Sequence, residues 1–101
     1  MDEKKYEWDD NKNQSNGIKH TISFERATKI FEDPDKITFE STSKDYGESR
    51  YLVVGLIFEV LYTVVYTLRN SFIRIISARR ANEKETKIYH EAKNQKYGNK
   101  I

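Results

Sequence analysis

Arginine is the residue type through which this chain could do chemistry. Arg50, Arg69, Arg74, Arg79 and Arg80 all fall on or beside a run of β-forming residues in the second half. A guanidinium is planar, always charged, and offers paired N–H donors that match a phosphate. It matches a carboxylate equally well, so two readings stand side by side: contacts to a polyanion, or ion pairs with acidic residues of the N-terminal half. His20 has the side chain whose titration lies nearest neutrality, which suits acid–base work. A histidine closing a helix also serves as a C-cap or packing residue. Trp8 fits a core anchor, and its indole would equally stack on a base.

Other chemistries lack their parts. There is no cysteine, which removes disulfides, thiolate metal sites and cysteine nucleophiles together. His20 and His90 show neither H-x-x-H nor H-E-x-x-H spacing, so a catalytic zinc is not expected. The glycines at 17, 47, 55 and 98 form no phosphate-binding loop, and no serine sits in a nucleophile elbow. No metal and no cofactor is expected. Charge is uneven: residues 1–48 carry 8 basic and 12 acidic side chains, and residues 69–101 carry 9 basic and 3 acidic. The overall +2 therefore conceals a basic final third. It suits a polyanion or an acidic partner, or is simply a solvated helix.

The elements that must position these residues are legible from patterning. With 101 residues, the chain has room for one small domain, expected over residues 1–93, with 94–101 a polar, frayed tail. Aromatics at 13% argue against disorder. The start, Met1-Asp2-Glu3-Lys4-Lys5, has no apolar stretch behind it and is not read as a signal peptide. Tyr51 to Leu68 has the length of a membrane helix, but Glu59 sits within it, Gly55 interrupts it, and Val, Ile, Tyr and Thr favour strands. It reads as strands over 50–55 and 60–67, joined across Leu56-Ile57-Phe58-Glu59. A third strand over 72–77 completes an antiparallel meander, with short strands expected at 6–8 and 37–39 and a polar loop over 41–49. Asp9 or Asp10 caps a helix to about Lys19, polar nearly all round. Ser23 caps a second through Phe31, ended by Asp33-Pro34. Asn82 and Glu85 open a third, running to about Lys93, in capping-box spacing. The class is α+β: a small antiparallel sheet flanked by two N-terminal helices and one C-terminal helix.

Several blocks resemble the BrnT family, toxins of type II toxin–antitoxin pairs. Tyr6-Glu7-Trp8-Asp9, Asn11-Lys12, Asn16, Lys19-His20, Ile22-Ser23-Phe24 and Phe31-Glu32-Asp33-Pro34 are similar to its opening. Glu48-x-Arg50, Gly55 and Val64-Val65-Tyr66-Thr67-x-Arg69 are similar to its middle. Arg74-Ile75-Ile76-Ser77-Ala78-Arg79-x-Ala81, with Glu85 and Tyr89, are similar to its end. The likeness spans about residues 6–90. Thr21 departs from it, standing where the family usually has glycine, as does the apolar Leu56-Ile57-Phe58 at the hairpin.

The resemblance implies a RelE-like fold and a cytoplasmic, metal-independent ribonuclease. In such a site Arg50, Arg69, Arg74 and Arg79 would stabilise phosphate charge, with His20 the leading proton-transfer candidate and Glu48 a weaker base. Trp8, Lys12, Lys19, Tyr66 and Arg80 would contact RNA. The implied partner is a BrnA-like antitoxin carrying a DNA-binding domain, in an assembly of two toxins and two antitoxins, with DNA contacted only through the antitoxin. The competing class is a non-catalytic RNA- or partner-binding module on the same fold. Antitoxin contact is expected at the arginine-bearing face and at the apolar hairpin tip, which would equally well fold back onto the protein's own core.

Overall fold

In a computed structural model, residues 5–45 and 47–97 are described; Met1–Lys4 and the last residues of the expected tail, 98–101, lie outside them. The strands are β1 (Tyr6–Trp8), β2 (Ile37–Asp45), β3 (Glu48–Ile57), β4 (Val60–Arg69) and β5 (Phe72–Arg80). They form a five-stranded sheet in the order β1-β5-β4-β3-β2. The meander β2 to β5 is antiparallel, as alternation and short links require. β1 pairs in parallel with β5, Glu7 opposite Arg74. The sheet is therefore mixed rather than antiparallel. The chain leaves β1 through helices and three further strands before β5 runs alongside it, and a connection of that length allows either direction.

All four meander strands run longer than the alternation reading has them, β3 starting at Glu48, β4 reaching Arg69 and β5 reaching Arg80. Residues 41–45 are strand rather than polar loop, with a register shift between Glu40 and Lys44 and Gly47 at φ 77 in the turn. As an edge strand β2 needs no apolar face on both sides, so its Ser and Thr content hid it. Leu56 and Ile57 belong to β3, and the turn is Phe58-Glu59, at φ 48 and φ 70. Two residues of positive φ match the twist of a hairpin, a geometry normally given to Asn-Gly. Gly55 does not interrupt the strand. A Cβ there would lie 2.9 Å from Ile30 Cγ1 and 3.2 Å from Asp33 Oδ2, so glycine lets the segment carrying them pack against β3. Among the described residues no helix is long and apolar enough to cross a membrane.

One face of the sheet carries the core. Val53, Ile57, Val64, Ile75 and Ala78 meet Ile22, Phe24, Ala27, Ile30 and Phe31 there. The last four belong to α2 (Phe24–Ala27) and the 3₁₀ turn Thr28–Glu32 that continues it. Ser23 Oγ accepts the Arg26 N–H at 3.1 Å and so starts α2.

Helix α1 (Asp10–His20) has almost no apolar face and is held by hydrogen bonds instead. Asp9 Oδ1 accepts the N–H groups of Asn11 and Lys12 at 2.8 and 3.1 Å. Asn13 Oδ1 accepts the Phe24 N–H at 2.7 Å. Buried Asn16 donates to the Ile22 carbonyl at 3.0 Å and accepts the Ala78 N–H at 3.1 Å. β1 ends opposite Ile75, so Asn16 takes over where the strand stops pairing with the β5 edge. Asn16→Ala is expected to cost about 2–4 kcal/mol, because it strands both a buried carbonyl and a buried N–H. Urea denaturation measures it; a loss below 1 kcal/mol would show that other groups replace the bridge. The helix ends at Thr21, φ 62, whose N–H donates to the Gly17 carbonyl. The left-handed cap that glycine would ease is kept, at the strain of a β-branched residue.

Helix α3 (Glu83–Tyr97) opens with the expected capping box: Glu85 N–H donates to Asn82 Oδ1 and Asn82 N–H to Glu85 Oε1. It runs past the expected end at Lys93, because Lys96 and Tyr97 reach back to Asp35 at 3.3 and 2.9 Å. Its buried Tyr89 donates to Asp33 Oδ2 at 2.7 Å, which ties the helix to the segment before β2.

Candidate functional site

The other face of the sheet gathers the arginines. Strand alternation and register put Glu48 and Arg50 of β3, Thr67 and Arg69 of β4, and Arg74 of β5 on it together. With Lys12 and Ile76 they line a depression of about 140 Å³. A second, of about 210 Å³, adjoins it and is lined by Lys12, Ser15, Asn16, Lys19, His20, Ile76 and Ser77. Lys12 and Ile76 belong to both. Lys12, Ser15, Asn16 and Lys19 follow i, i+3, i+4, i+7 spacing, so one stripe of α1 supplies this wall. Four of the expected residues thus meet around the first depression beside Lys12: Arg50, Arg69, Arg74 and Glu48. Lys19 and His20 stand at the second.

The arginines are not equivalent. Arg69 makes a bidentate pair with Glu48, 2.9 Å from Nε and from Nη2. Arg74 Nη1 lies 3.2 Å from Glu7 Oε2. These pairs are part-exposed, so each contributes little to stability. The Arg69 hydrogen bond lowers the Glu48 carboxyl below its ordinary value, and Glu48 in turn raises Arg69.

Arg79 is different. Its Nη1 and Nη2 each lie 2.8 Å from an oxygen of Glu85, which also accepts the Thr63 hydroxyl at 2.8 Å and the Asn82 N–H. This clasp joins β4 and β5 to α3 and keeps Arg79 out of both depressions. The Arg79 hydrogen bonds bring Glu85 from 4.5 to about 2 against the opposing effect of burial, helped by Asn82 and Thr63. A carboxyl lowered on folding stabilises above its unfolded pKa, and that contribution is lost as pH falls from 4.5 toward 2. Glu85→Gln is expected to be less stable at neutral pH and to show a flatter stability profile across that acid window. Denaturation at a series of pH values reads this, and a profile parallel to the parent's would refute it.

Three other expected contacts lie elsewhere. Trp8 packs edge-on to Phe24 at 6.2 Å on the core face, so its indole is an anchor and not a platform beside the arginines. Tyr66 is on the same face, between Phe31 at 5.3 Å and Tyr51 at 5.5 Å. Arg80 lines a separate depression with Leu61, Thr86 and His90. At the hairpin tip, Ile57 is buried while Phe58 is 68% exposed, with the Arg26 guanidinium 4.8 Å from its ring. Leu56, Ile57 and Phe58 border a depression of about 330 Å³ with Lys29, Glu32 and Asp33. The tip is divided between the protein's own core and a surface aromatic. Ser15, Thr67, Ile76 and Ser77 were missed; the α1 stripe signalled Ser15, and strand alternation placed Thr67 beside Arg69's face.

A family model described as "Ribonuclease toxin, BrnT, of type II toxin-antitoxin system" matches residues 8–85. The chain belongs to the BrnT family. Comparison with curated proteins returned no match. Both depressions are lined entirely from within the matched span. Membership in the BrnT family makes the chain a ribonuclease toxin of a type II system, with RNA as target and an antitoxin as partner.

Proposed function

We propose that this BrnT-family chain cleaves RNA without a metal, in the joined depressions on the arginine face. The observation that carries the proposal is the convergence of Arg50, Arg69, Arg74 and Lys12 on one concavity, with His20 in the next. In such a cleavage the RNA 2′-hydroxyl loses its proton and attacks the adjacent phosphorus. The 5′-oxygen leaves and takes up a proton, giving a 2′,3′-cyclic phosphate. Negative charge builds on the phosphate oxygens in the transition state, and preorganised guanidinium groups stabilise it. Arg69 and Arg74 are held ready by Glu48 and Glu7, and exchange those carboxylates for the phosphate. His20 is assigned proton transfer and Glu48 a secondary part as base. Lys12 and Lys19 hold the flanking phosphates. Arg79 supports the site through β5 and is not assigned a phosphate. Cations make a poor home for a divalent metal, and the acidic group lining the first depression, Glu48, already carries two arginine hydrogen bonds.

The fold reading proposed with it is RelE-like, over a single domain, in the cytoplasm. The antitoxin is a BrnA-like chain with a DNA-binding domain. It lays carboxylates on the arginine face and caps Phe58 at the hairpin tip, two copies of each chain assembling through the DNA-binding parts. The test is incubation of pure protein with RNA in EDTA, with and without ribosomes. Products ending in 2′,3′-cyclic phosphate are expected in one of the two. RNA left intact in both, with binding retained, would establish the non-catalytic module instead.

A further inference from the structure

Ile76 is out of character with its surroundings. Among the described residues that line the two depressions it is the only apolar one, beside lysines, arginines, serines, Glu48, Thr67, Asn16 and His20. Its position has a structural cause. Val65 pairs with Ser77 and Tyr66 with Ile75, so the register shift leaves Ile76 unopposed on β5. A bulge of this kind re-aims a side chain, and bulges recur beside functional sites. β1 has also ended, its last pair being Trp8 with Ile75. Ile76 thus presents a half-buried aliphatic surface at the junction of two cationic hollows.

We infer that Ile76 is the floor of a nucleobase subsite, taking the base of a nucleotide next to the phosphate bound by Arg50, Arg69 and Arg74. The inference rests on the RNA reading above and deepens it. A strand whose phosphates follow Arg74, Lys12 and Lys19 has to place a base between them. The flat apolar face of that base covers the isoleucine, while its edge meets the hydroxyls of Ser15 and Ser77. The adjoining hollow, about 210 Å³, is several times the ~30 Å³ share of one water. The cations on its rim, Lys12 and Lys19, match the flanking phosphates.

The test uses the full chain and two uncleavable probes: a 2′-O-methyl RNA hexamer, and an abasic hexamer with the same number of phosphates. On adding the first, the Ile76 methyl NMR signals, assigned with Ile76→Val, move upfield under the ring current of a base; with the second they do not. Ile76→Ala weakens binding of the base-bearing hexamer about tenfold, the effect of losing roughly 50 Å² of apolar contact, and leaves the abasic hexamer's affinity unchanged. Ile76 methyls unmoved at saturation, or equal weakening toward both probes, would overturn the base subsite alone. The NMR arm needs no destabilising variant, so a poorly folded Ile76→Ala does not protect the proposal. If neither hexamer binds, the RNA cleft and the subsite fall together. If both bind, the Ile76 signals move only with the base-bearing hexamer, and cleavable RNA stays intact, the ribonuclease mechanism falls and the subsite stands.

Discussion

Arg74→Ala is expected to lower RNA cleavage by roughly 10²–10³-fold while the protein stays folded, the loss typical of one preorganised charge-stabilising donor. Arg74 stands on the sheet's arginine face, opposite Thr67 on one side and Glu7 on the other, with its guanidinium beside the depression lined by Arg50 and Arg69. Its ion pair with Glu7 is part-exposed, so removing it costs about 1 kcal/mol or less in stability. Arg74→Lys keeps the charge and loses the planar fork, and falls between the two. Arg80→Ala is the matching control, because that side chain lies with His90 in another depression and is expected to leave turnover near the parent's. Turnover and melting temperature measured together decide the matter. Full activity in a folded Arg74→Ala protein would remove the arginine cleft as the catalytic site. A variant that loses only affinity, with its salt slope reduced by about one, would mark a binder.

Asp33→Ala is expected to destabilise the protein by about 3–5 kcal/mol, because it leaves the Leu56 N–H and the buried Tyr89 hydroxyl without their acceptor. Burial alone would raise this carboxyl. Hydrogen bonds from the Leu56 N–H, the Tyr89 hydroxyl and the Asp35 N–H, with Lys93 nearby, outweigh burial and hold it below its ordinary value. Tyr89 is 1% exposed, so without Asp33 its hydroxyl has lost its partner in the interior. Burial first and Asp33 second raise the tyrosine's own pKa. Tyr89→Phe leaves Asp33 its two backbone donors and is expected to cost only about 1–2 kcal/mol. For a domain of this size the aspartate change corresponds to a fall of roughly 15–30 °C in melting temperature. Calorimetry reads both variants, and equal losses for the two would show that Tyr89 packing, not the Asp33 carboxylate, holds α3 in place.

The meander, the Asn82–Glu85 capping box, the Ser23 cap and the polar character of α1 were all legible along the chain. Each depends on residues within one turn or one strand of each other. β2 was half missed because an edge strand tolerates polar residues on both faces. The connection was placed correctly but two residues too wide, because neither Phe58 nor Glu59 is a residue that positive φ favours. The parallel pairing of β1 carried no local signal, since direction depends on the path of the long intervening chain.

For the candidate site, residue types made arginine the candidate and set aside cysteine chemistry, and ordered blocks of residues carried the resemblance to the BrnT family. Types could not sort the arginines. Arg69 and Arg74 on one side and Arg79 on the other read alike in sequence, yet the first two edge a cleft and the third is clasped by Glu85 and Thr63. What separates them is register. Which face a strand residue takes, and which residue it opposes, is set by pairing with segments far along the chain, as Glu7 opposite Arg74 and Asn16 against Ala78 show. The bulge at Ile76 belongs to the same class of fact. Caps and alternation are short-range and can be read directly from residue order; the juxtaposition of distant side chains comes only from packing the elements together, where burial and hydrogen-bond satisfaction choose among the arrangements that local rules allow.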